Sequence, residues 1–244
     1  MRKLQADNFR YPFQECDTPF QYAYRQMGRD DLADQHTYTI MAEQGRLDSF
    51  NQFMTGKYCK TRSESDRIKS LGYDLEAVLN ERNPELVTMV DIGGSRGELL
   101  LDLKTTFPQL TRAELVVQEY NPDINDIPEL TLMSWDYKAE NSPQPIQGAL
   151  IYHLSHVLHN LSDNEAVRLL QKVADAMESQ SRLLIHEVVR TALTASLHCV
   201  MSVLFGGRER IRDDWHRLAS EAGLKVTFEA YPSFGDGLIE MRRV

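Results

Sequence analysis

The stretch Val90-Asp91-Ile92-Gly93-Gly94-Ser95-Arg96-Gly97 constrains the fold more than any other part of the chain. It joins a short apolar run, Leu86 to Val90, to an amphipathic segment that opens at Glu98. Three glycines in one turn remove the Cβ atoms that hold a ligand off the backbone. Amides at a helix N-terminus then come within reach of a small molecule lying across the strand ends. Strand, glycine turn and helix in that order form the opening unit of a doubly wound α/β sheet. The spacing is not G-x-G-x-x-G and no Lys-Ser/Thr pair closes the loop, so a dinucleotide and a triphosphate are poor matches. Asp91 precedes the glycines instead, and a carboxylate there suits a ligand with an ammonium group and hydroxyls.

From Leu86 onward apolar runs alternate with amphipathic ones. Strands are predicted at 86–91, 114–118, 130–133, 148–153, 182–188, 224–230 and 237–242, and helices at 98–106, 163–177, 192–204 and 211–222. Alternation of this kind predicts a mostly parallel sheet covered on both faces, with the last strand antiparallel after a short Pro/Gly turn. The expected fold is a Rossmann-like α/β sandwich over residues 81–244. Residues 1–80 read as a helical cap: Leu47, Phe50, Phe53 and Met54 share one helical face, and Thr18-Pro19 starts another helix. The run from Arg62 to Gly72 is the expected linker.

With 244 residues and 42% hydrophobic content, the chain is large enough for one substantial core. The formal charge of −9, with no Lys/Arg run longer than two, argues against nucleic acid as a partner. The polar N-terminus and the lack of any long apolar run predict neither a signal peptide nor a membrane span, hence a cytoplasmic protein. Cys16, Cys59 and Cys199 are odd in number and widely spaced, so neither a disulfide framework nor a zinc site is expected.

Ligands of open parallel sheets gather at the C-terminal strand ends. Glu119 ends the second strand, where a carboxylate accepts both hydroxyls of a ribose. Asp136 follows the next one, placed to bond an adenine amino group, with Tyr137 or Trp135 packing on the ring. Together with the glycine turn these residues describe an adenosine-type ligand carrying an ammonium group, which S-adenosylmethionine satisfies. After the fourth strand, His153, His156 and His159 recur at intervals of three. That stretch carries no carboxylate or cysteine to complete a metal site, and no metal is expected. One histidine alone has a better use, because an imidazole with an unperturbed pKa near ~6.5 takes a proton from a hydroxyl as it attacks an electrophilic methyl group. Glu187 and Glu209 are candidate carboxylates to orient it.

The chain resembles the caffeic-acid-type small-molecule O-methyltransferases, and in particular their fungal secondary-metabolite branch, from about Tyr11 to Glu240. Four blocks carry the resemblance: Thr18-Pro19-Phe20 through Phe50-Asn51-Gln52-Phe53-Met54-Thr55-Gly56, the turn from Asp91 to Gly97, Val157-Leu158-His159-Asn160, and Gly206-Gly207-Arg208-Glu209-Arg210. It implies a class I methyltransferase sandwich in which Gly93, Gly94, Glu119 and Asp136 line the S-adenosylmethionine site. With Asp91, Gly97, Tyr137 and Ser155 they make the expected cofactor-binding set. The resemblance makes His159 the general base, with Glu187 and Glu209 holding it, and places Phe50, Met54, Val200 and Leu204 in the acceptor pocket.

There are departures from the family pattern. The resemblance begins past the winged-helix dimerisation domain with which family members usually start, so that domain is expected to be lacking and a homodimer would have to form another way. The acid ending the second strand is Glu119 where Asp is usual. Ser155 stands where a basic residue is usual, and Asn160 where Asp is usual. The activity implied is methylation of a hydroxyl on an aromatic or polyketide-type secondary metabolite. The alternative is a methyltransferase-fold cyclase, dehydratase or pericyclase that transfers no methyl group.

Overall fold

The computed structural model describes residues 1–50, 52, 63–120, 127–233 and 235–244. The chain forms two compact units. One consists of Met1–Thr61, His159–Asp163 and Arg190–Glu209, and the other of Arg62–Leu158, Asn164–Val189 and Arg210–Val244. This division differs from a boundary at residue 80, because the segment after residue 62 packs into the sheet unit. The run read as a linker folds as the helix Glu64–Ser70, started by Ser63, whose hydroxyl accepts the Asp66 amide at 3.1 Å. Its Ile68 is fully buried beside Tyr73, Leu75, Val78 and Leu79. One apolar residue in an otherwise polar stretch leaves little periodicity to read.

The sheet unit is built on seven strands: β1 (Met89–Ile92), β2 (Leu115–Glu119), β3 (Thr131–Ser134), β4 (Ile151–Ser155), β5 (Arg182–Val188), β6 (Leu224–Ala230) and β7 (Asp236–Arg243). Their spatial order is β3-β2-β1-β4-β5-β7-β6. All pairs are parallel except β5–β7 and β6–β7, as a final antiparallel strand predicts. Strands β1 and β5 are buried along their whole length, which is why they read as nearly continuous apolar runs. The helix Glu98–Thr106 buries Leu99, Leu100 and Leu103 in the main core. Strand order reverses between β1 and its neighbours β2 and β4, and this switch point opens a crevice at the carboxyl ends of those strands.

The helical unit has its own small core of Tyr24, Leu32, Ala33 and Ile40, with Phe20 packed against it. Thr18 caps the helix Pro19–Gln26, as its sequence predicts, by accepting the Phe20 amide at 3.1 Å. The helix Ala195–Leu204 belongs to this unit despite lying late in the chain. No described helix is long and apolar enough to cross a membrane.

Candidate active site

In the sheet unit the glycine turn is shaped by close approach. Gly93 and Gly97 have left-handed φ values of 70° and 69°, which favour glycine. A Cβ on Gly93 would lie 2.8 Å from Val157, and one on Gly94 would lie within 2.9 Å of three atoms of the Asp91 side chain. The turn therefore packs its backbone directly against the side chains of Val157 and Asp91. Not all of its amides are available, however: Gly93 N–H donates to the Gln118 carbonyl at 2.7 Å, and Ser95 N–H to Glu119 Oε1 at 2.7 Å.

Asp91 is buried, and its Oδ1 lies 2.7 Å from His153 Nδ1. Glu119 is half-buried. Burial is the main reason that its carboxyl sits above the usual carboxylate range; the nearby Asp91 charge adds to this and the amides of Ser95 and Tyr120 oppose it. Asp136 is half-buried and accepts the Lys138 amide at 2.9 Å and the Ala139 amide at 3.3 Å. The Trp135 and Tyr137 rings meet edge to face, 6.1 Å between centroids. Ser155 ends β4, half-buried.

Beyond β4 a 3-10 turn, Leu158–Asn160, carries His159. The preceding peptide is fixed at both ends: Leu158 N–H donates to Glu187 Oε1 at 2.8 Å, and its carbonyl accepts from Arg210 Nη1 at 2.6 Å. Arg210 is fully buried and stacks over Trp215, 5.5 Å from the ring centroid.

Within the helical unit His159 Nδ1 lies 3.2 Å from Glu209 Oε1, both residues buried. A carboxylate on Nδ1 selects the tautomer with the proton there and leaves Nε2 as the basic nitrogen. Gly207 makes this arrangement possible, since a Cβ on it would strike the His159 carbonyl and lie 2.6 Å from the carbonyl carbon of Asn160. Of the expected pocket residues, Phe50 and Leu204 are half-buried, and Phe50 meets the Tyr38 ring at 5.6 Å. Val200 is 43% exposed, and Met54 lies outside the described residues.

Two further residues belong to this arrangement. Arg210 closes the Gly206–Arg210 block, and the sequence alone assigns it no role. His153 reads as one of three spaced histidines, yet it stands directly opposite Asp91 in the β1–β4 register. The signal for both lies in the same rule: a polar residue inside a buried run needs a partner.

The sheet order and the glycine turn at the switch point define a class I methyltransferase sandwich. The structure of a LepI complex with S-adenosylmethionine superposes with a TM-score of 0.81 at 22% identity, covering 100% of this chain and 62% of that one, a likeness of fold. An O-methyltransferase domain model matches residues 75–225. The O-methyltransferase bfoE of Aspergillus brasiliensis is 53% identical over 245 aligned positions, covering 100% of this chain and 66% of that protein. The O-methyltransferase aunE of Aspergillus niger is 52% identical over 245 positions, covering 100% and 64%. The chain belongs to the O-methyltransferase family, and it spans just under two thirds of the length of these two relatives.

Proposed function

We propose that the chain carries an S-adenosylmethionine-dependent O-methyltransferase acting on a hydroxyl of an aromatic or polyketide-type secondary metabolite of a fungus. The observation that carries this reading is the buried His159–Glu209 pair in a chain of this family. The cofactor fits the sheet unit on one ground in particular: the buried Asp91 carboxylate packs against the glycine turn at the switch point, where it offers an ammonium group a counter-charge. Asp91, Gly93, Gly94, Gly97, Glu119, Asp136, Tyr137 and Ser155 would hold it, with Glu119 accepting ribose hydroxyls.

When bound, the cofactor supplies an electrophilic methyl group on a sulfonium. The chain's residues do the rest. Glu209 holds the His159 ring, and Nε2 takes the proton of the acceptor hydroxyl as its oxygen forms the new bond. Glu187 and Arg210 keep the backbone before His159 from shifting. Phe50, Met54, Val200 and Leu204 would contact the acceptor through apolar surface. The remaining rate enhancement is positioning, which in-line displacements reward strongly. We further propose a cytoplasmic location and a homodimer.

The test is incubation of the purified chain with S-adenosylmethionine and a panel of phenolic and polyketide-type acceptors, followed by mass spectrometry. Gain of one methyl group, in step with release of S-adenosylhomocysteine, is the expected result. Cofactor binding by calorimetry with no methylated product from any acceptor would sink the methyltransferase reading for this chain.

A further inference from the structure

His153 has no part in the chemistry above, yet with Asp91 it forms a deeply buried polar contact beside the glycine turn. His153 is 2% exposed and Asp91 3%. The two residues face each other across β1 and β4 and are joined by the 2.7 Å contact between Nδ1 and Oδ1. The other ring nitrogen, Nε2, is buried with no hydrogen-bond partner among the described residues. A buried imidazole with one unmet nitrogen burdens folding, since an apolar side chain would fill the same place without an unsatisfied atom. Stability therefore does not account for it.

What the ring does is fix Asp91. A buried carboxylate needs a hydrogen-bond donor, and among the described residues the His153 side chain provides one. The other side of the Asp91 carboxylate is pressed against the turn, since Oδ2 occupies the place where a Cβ of Gly94 would be. The group is thus held between an imidazole and the backbone of the glycine turn.

We propose that His153 is a positioning residue for the cofactor site: through Nδ1 it holds the Asp91 carboxylate against the glycine turn, where that carboxylate receives the ammonium group of the cofactor's amino-acid part. The assignment rests on the cofactor reading given above and adds to it a residue that touches no ligand. It makes a selective prediction, because only ligands that carry the ammonium group depend on Asp91.

The test is titration calorimetry with S-adenosylmethionine, S-adenosylhomocysteine and 5′-methylthioadenosine, the last having the adenosine and sulfur but no ammonium group. His153→Leu is expected to weaken the first two by about ten-fold or more and to change the third by less than about two-fold. His153→Asn places an amide nitrogen where Nδ1 was and is expected to restore binding. His153→Gln, whose amide reaches the Nε2 position, is not. Should His153→Leu fail to fold, the contrast between Asn and Gln carries the test on S-adenosylhomocysteine alone. Equal weakening of all three ligands, unchanged binding in His153→Leu, or rescue by Gln as complete as by Asn overturns the assignment. A wild-type chain that binds none of the ligands overturns the cofactor reading and this assignment with it, whereas tight wild-type binding with indifferent variants overturns this assignment alone.

Discussion

His159 and Glu119 are each placed so that one substitution separates function from folding. His159→Ala removes the basic nitrogen and leaves the sheet unit untouched. Turnover is expected to fall by roughly 10²- to 10⁴-fold, with cofactor affinity near wild type by calorimetry. Full-rate methylation by this variant would take His159 out of the mechanism. Glu119 behaves in the opposite sense. Burial raises its carboxyl above its ordinary value of 4.5, so its contribution to stability is fully present below that value and is lost as pH rises through the raised one. At neutral pH the ionised group opposes folding. Glu119→Gln is therefore expected to stabilise the chain by about 0.5–2 kcal/mol at pH 7.5 while weakening cofactor binding about ten-fold or more. The gain in stability should vanish below about pH 4.5, and a variant less stable than wild type at pH 7.5 would refute the reasoning.

Among the elements, those with strong local patterns were legible in the sequence. All seven strands fall within a few residues of their predicted places, because buried strands are apolar runs whatever surrounds them. Strand β1 begins at Met89 and not at Leu86, since Leu86 is 45% exposed and lies outside the ladder with β2. Non-local facts were not legible. That the helix Ala195–Leu204 joins the N-terminal segment, or that His153 faces Asp91, depends on packing and register that no spacing encodes. The glycines of the Gly206-Gly207 turn lie between these cases: the motif is visible, but its reason is steric. Because a Cβ at Gly207 meets backbone atoms of His159, Asn160 and Leu161, which cannot rotate aside, Gly207→Ala is expected to destabilise by about 1–3 kcal/mol. Urea unfolding would show this, and a wild-type midpoint would mean that the two segments separate easily.

On the scale of the whole molecule, a buried cluster at the carboxyl end of β5 sets the response to acid. Burial, above all, holds the His186 imidazole well below its ordinary value of 6.5. The unfolded chain thus binds this proton more readily, and stability falls as pH drops from about 6.5. Asp236 lies in an ion pair with Arg67 and 3.5 Å from His156. Burial works to raise its carboxyl, but His156, His186 and Arg67 outweigh it and hold it below its ordinary value of 3.8. Its contribution is present above 3.8 and lost as pH falls through the lowered value. Urea midpoints measured from pH 7.5 to 3 should decline in two stages, the first of which His186→Gln flattens. A wild-type midpoint unchanged between pH 7 and 5 would contradict the first stage. The sheet order bears on how the chain is made. Strand β7 follows β6 in sequence but sits between β5 and β6, so β6 has no neighbour in the sheet until β7 has been synthesised. A nascent chain halted before Asp236 would carry an open edge on β5 and an unpaired β6 segment, both of which invite pairing between chains. Closure of the sheet therefore waits on β7, and β5 needs shielding until β7 pairs with it.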